Sequence, residues 1–256
     1  MLKLAMTNLL TVIVLCAGGS HAWAATIYSA QDDFSSTSNP NGVWSYGTTG
    51  TTLTGALTVH TGTVSAISGI PNWSGWTGTV PMFGNNYPFT AKYSGATPGT
   101  ETDVVVLPGM LTQHPASTGA YSVVRFTAPT TDAYLLSAVF EGREFQGQGP
   151  GTNADVHVLH NGVAIFDAVV IGFGPPSDQP FATSLNLTAG DRIDFSVGFG
   201  PNGTFLGDTL SLQATFTAVP EPGTVSLLAV GAVGVVGWLV LKRRSRHAKP
   251  CAAARG

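Results

Sequence analysis

Cysteine is nearly absent from this chain: Cys16 and Cys251 are the only two in 256 residues, one near each end. The long middle has no thiol, which excludes a disulfide framework and a thiolate metal site. Charge is scarce too, at 10% of residues, and it is unevenly placed. Residues 25–222 hold four cations (Lys92, Arg125, Arg143 and Arg192) against all 14 acids, so four minus fourteen leaves −10. Such a surface repels phosphate backbones, and nucleic acid is not expected as a partner. Catalytic signatures are missing as well. There is no Gly-x-Ser-x-Gly elbow, no His-Glu-x-x-His, no phosphate loop and no dinucleotide fingerprint. Neither enzyme activity nor a cofactor is expected.

What charge there is in the remaining cations marks the two ends. Lys3 precedes a short apolar run, Leu9 to Ala17, which Gly18-Gly19-Ser20 interrupts. Ala22-Trp23-Ala24 then gives the small-x-small pattern of a cleavage site, so residues 1–24 read as a signal peptide. Leu15 stands where a lipoprotein site needs a small residue, which removes a lipid-anchor reading of Cys16. At the other end, Gly223 to Leu241 is uncharged. At helical rise it reaches roughly 28 Å, about a bilayer's hydrocarbon thickness. Lys242, Arg243, Arg244 and Arg246 follow at once, and such a block stays cytoplasmic. Residues 25–218 then face outward, residues 247–256 form a cytoplasmic tail, and one membrane helix holds the chain.

Pro220-Glu221-Pro222 stands between domain and span, where two fixed φ angles end any strand. This triple, the span with Gly231, Gly234 and Gly237, and Lys242-Arg243-Arg244 together resemble the PEP-CTERM family of sorted proteins. The resemblance implies a sorting segment at 219–246 and an exosortase-type membrane cysteine protease as partner. It also implies a bacterium that makes extracellular polysaccharide. One departure is the extra tail from Ser245 to Gly256, since the family usually stops soon after its arginines.

The outward domain is rich in Gly, Thr, Ser and Asn, with short apolar runs between turns and no sustained helical period. Asn161-Gly162 between Ala154–His160 and Val163–Val170 is a strong hairpin signal. Further strands are expected at 121–126, 133–140, 181–187, 192–199 and 209–217. Weaker ones are expected at 27–34, 43–46, 53–59 and 104–107. The pattern predicts an all-β, antiparallel, jelly-roll-like sandwich. Several segments also resemble a recurring outer domain of sorted proteins: Asn39 to Gly47, His114-Pro115, Tyr121 to Pro129, Val156-His157-Val158 with Asn161-Gly162, and Gly190 to Phe195. No settled activity comes with that resemblance.

Candidate chemistry is sparse. His157 and His160, three apart on a strand, point to opposite faces and do not share a metal. Glu141 and Glu144 flank Arg143, and Asp191 and Asp194 flank Arg192; paired acids serve glycoside hydrolysis, but solvated turns are the better reading. Trp44, Trp73 and Trp76 fall close together in sequence, among Tyr46, Asn72, Asn85, Asn86 and Tyr87. Exposed, they would form a carbohydrate-binding platform; buried, they would plug the sandwich core. The chain therefore reads first as an exported surface protein, structural or associated with extracellular polysaccharide. A carbohydrate-binding module built on the tryptophans is the alternative, and a glycoside hydrolase comes behind both.

Overall fold

Runs of Val, Ile, Phe and Thr, broken every few residues by Gly, Pro or Asn, cannot sustain a helix, and the chain folds almost wholly as strands. The computed structural model describes residues 25–82, 84–145 and 151–219. These residues belong to one compact unit, Ala25–Val219. The expected signal peptide, span, cytoplasmic tail and sorting residues (Pro220, Glu221, Pro222, Lys242, Arg243 and Arg244) lie outside the described residues. Among those described, no helix is long and apolar enough to cross a membrane.

The strands in chain order begin with β1 (Ile27–Ser29), β2 (Trp44–Thr48), β3 (Thr58–Val59) and β4 (Gly62–Val64). Then come β5 (Trp73–Met82), β6 (Asn85–Tyr93), β7 (Gly99–Glu101), β8 (Val104–Val106) and β9 (Leu111–His114). Longer strands follow: β10 (Ser122–Thr127), β11 (Asp132–Gly142), β12 (Thr152–His160) and β13 (Val163–Gly172). The last are β14 (Gln179–Leu187), β15 (Arg192–Phe199) and β16 (Leu210–Val219). One sheet runs β14-β11-β16-β9-β6-β5-β4, with β1 also on β16, and the other β13-β12-β15-β10-β2-β3. β7 and β8 pair apart from both. Pairing between the strands is antiparallel throughout, and the two large sheets face each other as a jelly-roll-like β-sandwich.

Alternation along the long strands decides what fills the space between the sheets. In β11, Tyr134, Leu136, Ala138 and Phe140 are buried, while Leu135 and Ser137 face out. Phe216 of β16 stacks on Phe126 of β10 across the interlayer gap, centroids 3.9 Å apart and planes 11° apart. A second, smaller core sits on the β5–β6 hairpin and gathers Ile67, Ile70, Trp73, Phe89, Tyr93 and Val106. The hydrogen-bonded link from that hairpin to the main sheet is narrow: β9 meets β16 only at Leu210↔Gln113 and Ser211↔Thr112.

The sandwich and its later strands match the expectation, with boundaries moved by at most two residues. The earlier half differs. The expected strand 27–34 ends at Ser29, because the Asp33 carboxylate accepts the Ser29 N–H at 2.9 Å and closes a turn. The expected strand 53–59 keeps only Thr58–Val59. Strands β5 and β6 were not expected, since Gly, Ser, Thr and Pro hide their alternation. Gly75 shows why: a Cβ there would lie 2.3 Å from the Thr90 carbonyl oxygen, so strand contact demands glycine.

Candidate functional site

Trp44 is 0% exposed, Trp73 1% and Trp76 8%. Each indole N–H is satisfied inside the protein. Trp44 donates to Asp33 Oδ2 at 3.2 Å, Trp73 to Thr112 Oγ1 at 2.9 Å and Trp76 to the Ser35 carbonyl at 2.7 Å. Trp44 packs on Phe126 and Phe216 in the main core, whereas Trp73 meets Phe89 edge-on in the second. No sugar can stack on rings so placed. The exposed platform of Trp44, Trp73 and Trp76 is therefore corrected: Trp73 and Trp76, three apart on β5, leave it on opposite faces, and each face is covered, Trp76 joining Trp44 in the main core and Trp73 entering the second.

The histidines stay apart, as their spacing predicted. His157 stands opposite Ser196 and His160 opposite Ile193, an odd number of positions along one strand. Both nitrogens of His157 face carboxylates, Asp167 at 2.5 Å and Asp155 at 2.9 Å. Burial pulls its pKa down, but those hydrogen bonds and charges outweigh burial and leave it raised. His160 lies 3.4 Å from Asp191 instead. Among the described residues, no group of three or more His, Cys, Asp or Glu is arranged to hold a metal ion.

The carboxylate pairs split differently from their order in sequence. Asp194 binds Arg125 through two bonds of 2.6 and 2.7 Å, while Asp191 accepts from Asn161 and the Thr188 N–H. Around Arg143 the solvated turn is corrected outright. Arg143 and Glu144 are only 2% and 5% exposed. Arg143 ion-pairs with Glu141, donates to the Val105 carbonyl at 2.7 Å and lies 5.1 Å from the Phe173 ring centre. The reason is tertiary: β11 carries straight on into a bridge between Glu144 and Val104, under the loop before β16.

Glu144 lines a cleft of about 480 Å³, with Tyr87, His114, Thr209 and, toward the rim, Asp103 and the exposed Glu101. Its Oε1 accepts the Thr209 N–H at 3.0 Å, yet burial pushes its pKa up to about 7. His114 stacks on Phe89, and burial brings its pKa down to about 4, so the ring is neutral at pH 7. Its Nδ1–H donates to the Pro115 carbonyl at 2.6 Å, which leaves Nε2 as an acceptor. Burial and the Glu144 charge push the Tyr87 phenol up to about 12. The inner wall thus presents hydrogen-bonding groups with little fixed charge. Sequence reasoning missed this site. His114, Glu144 and Tyr87 share no local pattern, and only the β6–β9 and β11–β16 pairings bring them together.

Comparison with known proteins bears on the chain's end rather than on this cleft. Residues 218–244 match the PEP-CTERM protein-sorting motif. The chain carries a PEP-CTERM sorting motif. It begins on Ala218 and Val219, the last two residues of β16, so the sandwich leads directly into it. Solved structures similar to the chain include CBM51 from Clostridium perfringens GH95 in complex with methyl-galactose. There the TM-score is 0.33 at 14% identity, covering 62% of this chain and 95% of that one. A family 35 carbohydrate binding module from Clostridium thermocellum gives a TM-score of 0.27 at 16% identity, covering 61% and 99%. A comparison with curated proteins found no match.

Proposed function

We propose that the chain is an exported cell-surface protein, sorted through its C-terminal segment by an exosortase-type membrane protease. Its β-sandwich is the delivered part, a structural domain associated with the extracellular polysaccharide matrix. The observation that carries this reading is the sorting motif at 218–244, placed where the last strand of the sandwich ends. β16 is locked into the main sheet as far as Val219, and the sequence then gives Pro220 and Pro222, which cannot extend a ladder or a helix and so favour a site that a protease can reach. The reading further includes the amino-terminal signal peptide and a membrane helix at about 223–241 before processing. Any contact with polysaccharide falls to the cleft of Tyr87, His114 and Glu144, since the tryptophans are buried.

The test is Glu221→Ala in the native host. The variant should accumulate in the membrane at a higher mass than the wild-type product, which should leave with the polysaccharide fraction. Equal mass and equal fractionation for the two proteins would reduce the segment to an ordinary anchor.

A further inference from the structure

Asp208 is fully buried, and neither of its carboxylate oxygens has a hydrogen-bond partner in the protein. Two further buried acceptors, Asn153 Oδ1 and Asp155 Oδ1, are also unpartnered. All four oxygens belong to one corner of the sandwich. Asn153 and Asp155 are two apart on β12 and so share a face, and the Asn153 N–H donates at 3.3 Å to the carbonyl of Gly207, the neighbour of Asp208. Asp155 stands opposite Gly198 at the end of β15. A Cβ on Gly198 would lie 2.6 Å from Asp155 Oδ1, and one on Gly200 would lie 2.1 Å from Asn153 Oδ1. The two glycines therefore leave space that these side-chain oxygens occupy.

Buried acceptors normally find donors, and a buried carboxylate without one is costly. Unpaired, Asp208 has its pKa pushed up to about 9, by burial first and then by the charges of Glu144 and Asp155. Asp155 already meets His157 through Oδ2 and lies beside the Tyr121 hydroxyl, but both oxygens of Asp208 and the amide oxygen of Asn153 have no donor, and such a set of oxygens fits a cation better than any neutral group. We propose that Asp208, Asp155 and Asn153 hold a calcium ion. Oxygen ligands alone, a mixture of carboxylate and amide, and the loose geometry of a loop corner suit Ca²⁺ rather than Mg²⁺, which demands a near-ideal octahedron. Two carboxylates and an amide leave further positions for backbone carbonyls and water, as Ca²⁺ takes six to eight oxygens. The ion would fasten the segment after β15 to β12. That segment also supplies Phe205, Leu206 and Gly207 to the cleft wall, so cleft shape and calcium would be linked.

The experiment uses the full chain in detergent, stripped with EDTA, and reads thermal unfolding and calorimetric titration with CaCl₂ or MgCl₂. An affinity typical of extracellular modules, roughly 10⁻⁴ to 10⁻³ M, predicts that 10 mM Ca²⁺ raises Tm by about 5 °C. Mg²⁺ should do much less. Asp208→Asn should abolish the calcium response while keeping a cooperative transition. Should that variant fail to fold, Asn153→Ala removes a neutral ligand without touching the charges and should weaken Ca²⁺ binding at least ten-fold. A wild-type protein indifferent to Ca²⁺, or an Asp208→Asn or Asn153→Ala protein that responds as wild type does, would overturn the site.

Discussion

The two hydrophobic cores differ in how they are made. The main core comes mostly from the inward-facing positions of long strands, β10, β11, β12, β15 and β16, and its members are aromatic and aliphatic side chains from both sheets. The second core rests on one hairpin and short pieces of chain, and polar groups are buried at its edge: Thr112, Gln113, His114 and, across the cleft, Glu144. Gln113 Nε2 spans the divide, donating to the carbonyls of Ser122 and Phe195. Regular alternation yields a core that excludes polar groups, whereas a core assembled from irregular segments keeps them and pairs only some of their atoms: the amide nitrogen of Gln113 is bonded and its Oε1 is not. The cleft lies on the second kind. A rigid sandwich carrying a less regular annex is a common way to place function.

Truncation of each core sharpens the contrast most. Phe216→Ala removes a ring stacked on Phe126 at the centre of the sandwich, and should cost about 3–5 kcal/mol. Trp73→Ala removes a comparable ring from the annex, which meets the main sheet through two residue pairs on β9. Hydrogen exchange should then show general loss of protection for Phe216→Ala. For Trp73→Ala the loss should concentrate in β5 and β6, with β11 and β16 nearly unchanged. Uniform loss in both variants would mean one cooperative unit, and the two-core description would fail.

Acid should act on the annex as well. His114, and His60 beside the β5–β6 hairpin, are buried, and burial holds both pKa values near 4. A histidine depressed in the fold takes up its proton only on opening, so stability is lost as pH falls from 6.5 toward 4. Glu144 opposes this, because its raised pKa means that it gives up a proton on opening. So does Asp208, raised to about 9, where opening reaches it; both acids lie outside the hairpin, and opening of the hairpin alone takes up protons between roughly pH 4 and 6.5. Exchange of β5–β6 amides, corrected for intrinsic rates, should accelerate across that window relative to β11–β16. Parallel pH profiles for both regions would contradict the assignment.

Legibility follows the same division. Strand β15 could be read to its ends because Arg192–Phe199 alternates cleanly between turns, and the β12–β13 hairpin because Asn-Gly names its own turn. The annex could not be read. Ser74, Gly75, Thr77 and Gly78 look like loop residues, and glycine is there because the neighbouring backbone comes too close for a side chain. The tryptophans misled for a related reason: the unread β5 is covered on both faces, so Trp73 and Trp76 are buried on opposite sides of it. Glu144 and Asp208 lie far apart in sequence, and nothing local marks an acid that tertiary packing will bury. The sorting segment needed no fold, and its order of residues was enough.

The smallest expected effect tests whether the main sandwich tolerates a purely local insult. Asn161 and Gly162 hold φ of +50° and +83° at the tip of the β12–β13 hairpin. A Cβ on Gly162 would meet nothing within 4 Å, so a substitution there changes backbone preference and no contact. Val resists positive φ through its branched Cβ, and Gly162→Val should cost about 1 kcal/mol or somewhat more. Gly162→Asn should cost less, because Asn enters the left-handed region more readily. The hairpin is held independently at this tip, where the Asn161 side chain accepts the Arg192 N–H and donates to Asp191. The turn should therefore keep its register, and chemical denaturation should show a lower midpoint with an unchanged slope. Exchange in β5–β6 should stay at wild-type rates, since the hairpin lies at the far edge of the other sheet. A changed slope, or faster exchange in the annex, would show that the two regions are coupled through the turn.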